Sequence, residues 1–121
     1  ELFNDPETLE VTWDSTLIDM IRCNYIIKAY KDYDILSNVN LMGHHLSEGL
    51  MRINGIRNLR HCGLLFAFDI DRGRDIFLEA ALSRGLLVNS SEEKTVRLRP
   101  NLNVSLDEIN EALHIMEDCI K

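Results

Sequence analysis

Five consecutive apolar residues, Leu64-Leu65-Phe66-Ala67-Phe68, do more than any other stretch to limit what this chain can become. The run is strand-sized, and successive side chains of a strand point to opposite faces, so this one presents hydrocarbon on both. Such a segment is expected at the centre of a sheet, covered on either side. Neighbouring strands and helical layers must come from the flanking sequence. A strand from Ile56 to His61 precedes the run, separated from it by Cys62-Gly63, and the run itself extends to Ile70. Leu86-Leu87-Val88 reads as another short strand, and Asn89 to Lys94 as a polar loop. In the last strand Val96 and Leu98 alternate with Arg97 and Arg99, giving one apolar and one charged face. Pro100 has no amide hydrogen to donate to a ladder, so pairing should stop there.

Helical periodicity accounts for most of the remainder. Asp14 or Ser15 is placed to cap a helix running to about Tyr33. Ile18, Ile21, Tyr25 and Ala29 line one face of it, while Leu17, Met20, Ile26 and Ile27 widen that face enough to predict packing on more than one side. A second helix, from about Tyr33 to Arg52, carries the stripe Ile35, Val39, Met42, Leu46, Leu50 and Ile53 and stops at Asn54-Gly55. The third, Arg74 to Arg84, should turn Ile76, Phe77, Ala80 and Ala81 inward and end at Gly85. Ser105 and Glu108 form a capping box for the last helix, Leu106 to Ile120, with Leu106, Ile109, Leu113, Met116 and Ile120 in register. Strands and helices in this order predict an α+β fold with a small, largely antiparallel sheet and helices on one face.

Charge and apolar content narrow the function classes. A formal net charge of −7 argues against non-specific nucleic-acid binding, which needs a basic face to displace counterions. No apolar run approaches the roughly 20 residues of a membrane-spanning helix. Cys23, Cys62 and Cys119 are an odd number without close pairing, which fits a reducing, cytoplasmic setting better than a disulfide scaffold. The opening Glu1-Leu2-Phe3-Asn4-Asp5 has neither an initiator methionine nor the basic start of a signal peptide. It reads as loop, with a turn at Asn4-Asp5-Pro6, and the chain is expected to be an excised piece of a longer protein.

The chemical candidates are few. There is no Gly-x-Gly-x-x-Gly or Gly-Lys-Ser/Thr sequence to cradle phosphates. His44 and His45 are adjacent and diverge by about 100° on a helix, and His61-Cys62 and His114 with Cys119 lack ligand spacing, so no metal site is expected. Cys23 and Cys119 fall within helices, where a buried, inert thiol is the usual state. Glu92-Glu93 and Asp107-Glu108 fall where solvated loops and helix starts need carboxylates. The arginine strand has two readings. Arg97 and Arg99 are solvated surface groups, or they aim planar forks at a carboxylate or phosphate, which such forks bind bidentately.

Three motifs give the chain a resemblance to a known family. The first is Phe3-Asn4-Asp5-Pro6-Glu7-Thr8-Leu9-Glu10-Val11-Thr12-Trp13, leading into Leu17-Ile18-Asp19-Met20-Ile21-Arg22. The second is Arg60-His61-Cys62-Gly63-Leu64-Leu65-Phe66-Ala67-Phe68-Asp69, and the third Val96-Arg97-Leu98-Arg99-Pro100-Asn101-Leu102. Together they resemble the C-terminal segment of class III, pyridoxal-phosphate-dependent aminotransferases, the first motif being most like that of L-lysine 6-aminotransferases. The resemblance implies the small C-terminal domain of the fold-type I transferases over residues 34–121, a linking helix over 15–33, and a cofactor-phosphate loop over 1–14. It implies transfer of the terminal amino group of lysine to 2-oxoglutarate, with another ω-amino acid such as 4-aminobutyrate as the alternative donor. A different class of protein, a non-catalytic module binding an amino acid or a partner, is the alternative to an enzyme.

By the same resemblance, Arg97 binds the α-carboxylate of glutamate or 2-oxoglutarate and pairs with a glutamate when that substrate is absent. Thr12 hydrogen-bonds the cofactor phosphate of the neighbouring subunit, which implies a homodimer. The sequence departs from the family at Trp13-Asp14-Ser15-Thr16, where Trp-Gly-Gly-Asn is usual, and at His61, where the second motif has glycine. Asp14 puts negative charge beside a phosphate, and the lost glycines reduce backbone freedom there. The lysine that bonds the cofactor is missing too. Lys28, Lys31, Lys94 and Lys121 do not match its motif, so the fragment alone is expected to be inactive.

Overall fold

The computed structural model describes residues 16–71 and 73–120. The chain falls into two compact units that part between Asp34 and Ile35. In the first, α1 runs over Leu17–Asp32 with Thr16 at its N-cap, and the Thr16 hydroxyl bonds the carboxylate of Asp19 rather than a backbone amide. Asp14 and Ser15, the expected caps, lie outside the described residues. None of the α1 residues is buried by the described residues of its own unit. Its apolar residues are spread around the whole circumference, so no single face is set apart for burial.

The second unit is an α+β layer. Helix α2 spans Ile35–Arg52, strands β1 and β2 span Ile56–Cys62 and Leu65–Ile70, and α3 spans Arg74–Ser83. Short strands β3, Asn89–Ser91, and β4, Thr95–Leu98, precede α4, Leu106–Ile120. The strands form one antiparallel sheet in the order β1-β2-β4-β3. Helices cover one face of it. Phe66, Phe68, Ile70, Val96 and Leu98 from the sheet meet Met42, Leu46 and Leu50 of α2, Phe77 of α3, and Ile109 and Met116 of α4 in a single core.

Strand β2 is central, as its composition predicts, but only one of its faces is covered. Phe66, Phe68 and Ile70 are buried, whereas Leu65 is 50% exposed and Ala67 and Asp69 are half-buried. Helices pack on the Phe66 side only, so the other side stays open within this unit. Two further expectations need correction. Leu86-Leu87-Val88 is not a strand, because the Leu86 amide bonds back to the Ala81 carbonyl at 2.9 Å and keeps the chain at the end of α3. Pairing begins three residues later, with Asn89, Ser90 and Ser91 opposite Arg97, Val96 and Thr95. Ile76, expected inside, is 73% exposed, and Leu78 takes the place beside the core.

The connection from β4 to α4 is fixed at both ends. The Asn38 side chain on α2 donates to the carbonyls of Leu102 and Val104 at 2.9 and 3.1 Å. The capping box closes as the sequence predicts, with the Ser105 amide on Glu108 Oε2 at 2.8 Å and the Glu108 amide on Ser105 Oγ at 3.3 Å. Gly43 lets α2 close on the β1–β2 turn, since a Cβ there would stand 2.7 Å from the Gly63 carbonyl oxygen. All three cysteines are free, and Cys23 on α1 is exposed rather than buried. No described helix is long and apolar enough to cross a membrane.

Candidate functional site

The open face of the sheet carries the candidate residue, Arg97. Val96 and Leu98 point into the core, so the intervening Arg97 is turned outward by the period of the strand. Register places it between Ala67 on β2 and Asn89 on β3, and Ala67 is in turn opposite Arg60 on β1. One row across the sheet thus reads Arg60, Ala67, Arg97, Asn89. With only a methyl group between them, the two arginines flank an unobstructed strip of backbone.

Those two arginines are in different electrostatic states. Arg60 lies 3.6 Å from Asp69 Oδ1 and donates to the Asn58 carbonyl at 2.8 Å. Arg57, also on β1, pairs with Asp71 at 3.5 Å. Arg97 has no ion pair or hydrogen-bonded side chain among the described residues, although it is held on a rigid strand. Such a guanidinium is a ready anchor for an external carboxylate. Arg99 does not join it. It follows the end of β4 and lines a cavity of about 550 Å³ with Pro100, Val104 and Glu108, which Arg97 does not touch.

In the adjacent row, Asp69 is held from three directions. Thr95 Oγ1 donates to Oδ1 at 2.7 Å, Asn58 Nδ2 donates to Oδ2 at 2.8 Å, and Arg60 stands beside them. The Asn58 and Thr95 hydrogen bonds, with a smaller contribution from the Arg60 charge, hold the Asp69 carboxyl below its ordinary value despite partial burial. Asn58 reaches Asp69 because β1 bulges between Arg57 and Arg60 and Asn58 takes a left-handed conformation, φ 49°. Asparagine tolerates that region better than most residues.

This clamp was not foreseen from sequence. Its signals were present: an asparagine within an otherwise regular strand, and an aspartate one strand away from a threonine. Their pairing needs the β2–β4 register, which sequence does not state. His61, which stands in place of a family glycine, stacks on Phe66 with ring centroids 4.5 Å apart and planes 2° from parallel. His61 itself is exposed, near the end of the edge strand β1. Thr12, with the rest of the first motif, lies outside the described residues.

The described residues do not by themselves make a pyridoxal-phosphate site. Lys28 and Lys31 on α1 and Lys94 in the β3–β4 turn are exposed, whereas a cofactor-bonding lysine needs an enclosed setting to lower its pKa.

Comparison with known proteins gives the context. Residues 3–120 match the family model for class-III aminotransferases. Acetylornithine aminotransferase 1 of Bordetella parapertussis is 32% identical over 100 residues, covering 79% of this chain and 25% of that protein. The structure of the lysine aminotransferase from M. tuberculosis superposes with a TM-score of 0.84 at 26% identity, over 99% of this chain and 29% of that one. The ornithine aminotransferase from Toxoplasma gondii shares the fold at a TM-score of 0.83 and 18% identity, over 96% of this chain and 30% of that one. The chain spans about a quarter of the length of the curated relatives it matches.

Proposed function

Because the chain belongs to the class-III aminotransferase family, whose members depend on pyridoxal phosphate, we propose that it is the C-terminal portion of such an enzyme. The proposed reaction moves the terminal amino group of L-lysine to 2-oxoglutarate, giving the 6-semialdehyde and glutamate. The observation that carries this reading is Arg97, outward-facing on a rigid strand and without a carboxylate partner among the described residues. Its fork would take the α-carboxylate of the keto acid through two parallel hydrogen bonds, which fixes both the position and the plane of the substrate. Pyridoxal phosphate supplies the electron sink for amino transfer and is held by residues outside those described here. Thr12 is assigned to its phosphate across a homodimer, in a cytoplasmic enzyme, and residues 1–14, 15–33 and 34–121 are assigned as phosphate loop, linking helix and small domain.

The likeness to the M. tuberculosis lysine aminotransferase supports lysine as donor. The acetylornithine aminotransferases among the relatives favour a second reading, in which N-acetylornithine or another ω-amino acid is the donor. The two readings share Arg97 and the acceptor and differ only in the donor pocket. Initial rates of the full-length holoenzyme with 2-oxoglutarate and L-lysine, N-acetylornithine, ornithine or 4-aminobutyrate separate them. The lysine reading predicts the highest kcat/KM for L-lysine. A higher value for N-acetylornithine moves the assignment to the second reading, and no turnover with any of the four overturns both.

A further inference from the structure

Strand pairing gives Arg97 one polar neighbour in its own row. Asn89 on β3 stands directly opposite it. Directly opposite residues of an antiparallel pair project to the same face, with Cβ atoms roughly 4.5–5.5 Å apart. On the β2 side the neighbour is Ala67, which has no polar side-chain atom to offer. β3 is the edge of the sheet and Asn89 is exposed on it, so no further strand crowds the pair. One row away, the Thr95 hydroxyl is already committed to Asp69.

The Asn89 amide is oriented by its own backbone. The Ser90 N–H donates to Asn89 Oδ1 at 2.8 Å, the one hydrogen bond of this side chain among the described residues. A backbone N–H can only donate, so the amide oxygen is fixed at that contact and Nδ2 is turned away from it. The outcome is a preset donor with two hydrogens beside the guanidinium. An ionised carboxylate only accepts, at about four positions, and a bidentate fork uses two of them.

We propose that Asn89 is a second anchor for the keto acid, its Nδ2 donating a third hydrogen bond to the α-carboxylate that Arg97 holds. This rests on the reading of Arg97 as the keto-acid anchor. By the family resemblance a glutamate occupies the Arg97 fork between substrates, so the substrate binds by displacing it. Asn89 acts in that exchange, as a donor that favours the substrate carboxylate over the resting one. A third contact from a second strand also fixes the rotation of the carboxylate on the fork.

The test uses the full-length holoenzyme in single-turnover half-reactions, with L-glutamate and L-lysine as probes. Asn89→Ala removes the donor and the acceptor for Ser90, whereas Asn89→Asp keeps an oxygen for Ser90 and removes only the donor. The apparent Kd for L-glutamate should rise roughly tenfold in N89A. It should rise further in N89D, because the new charge repels the substrate carboxylate. The L-lysine half-reaction should match the parent in both. A purely structural Asn89 gives a different pattern, with N89A melting lower and losing both half-reactions while N89D resembles the parent, and that pattern overturns the proposal. An N89A enzyme whose Kd for L-glutamate is unchanged or lowered overturns it too, since the donor then serves only the resting glutamate. In these cases Arg97→Lys still weakens L-glutamate binding and the anchor reading stands. Parent-like L-glutamate affinity in Arg97→Lys overturns the anchor reading and the Asn89 contact with it.

Discussion

At the scale of single residues, the sheet separates arginines that look equivalent in sequence. Arg57 and Arg60 are paired within the molecule, Arg97 is presented without a partner among the described residues, and Arg99 belongs to a different surface. Alternation with Val96 and Leu98 left Arg97 and Arg99 alike open between surface groups and anion readers, and only the family resemblance singled out Arg97. Asp69 gives a pH prediction at the same scale. Its folded pKa lies below its unfolded value, so its contribution to stability is present above about pH 4 and is lost as pH falls through the lowered folded value. Asp69→Asn removes that term. Urea melts of the parent and of D69N should differ at pH 7 and converge as the pH drops below about 4. A constant difference down to acid pH would show that Asp69 is not held as a carboxylate.

At the scale of elements, the clearest sequence signals became the firmest structures. The Ser105–Glu108 capping box, the α2 stripe and the glycine after α3 all form as expected, because each is a local device that needs no distant partner. Elements that depend on pairing were less legible. β3 is polar and three residues long, and only its register against β4 defines it. The bulge at Asn58 likewise exists only relative to β2. Ser105→Ala should lower stability by about 1 kcal/mol, read as a drop in melting temperature, because it leaves the Glu108 amide in the first turn of α4 without its acceptor. The Glu108 carboxyl is held below its ordinary value by the Ser105 amide and hydroxyl, so the cap should weaken as pH falls through that lowered value. Gly43→Ala should cost more, about 1–3 kcal/mol, since the new methyl meets the backbone of the β1–β2 turn rather than a movable side chain. Gly49→Ala meets the side chain of Leu113 rather than backbone, and it should be better tolerated than Gly43→Ala in the same melt.

At the scale of the whole molecule, the second unit has its own core, centred on the fully buried Phe66 and Phe68. Phe68→Ala should therefore destabilise by about 3–5 kcal/mol in chemical denaturation. The open face of the second unit's sheet presents Arg97 without a partner among the described residues. The chain matches about a quarter of the length of its relatives. The central claim is that Arg97 anchors the keto acid, and pre-steady-state half-reactions of the full-length holoenzyme test it most directly. For Arg97→Lys the account predicts a loss of roughly ten- to hundredfold in the apparent affinity for 2-oxoglutarate or glutamate, with the lysine half-reaction nearly unchanged. Equal losses in both half-reactions, or none in either, would contradict it.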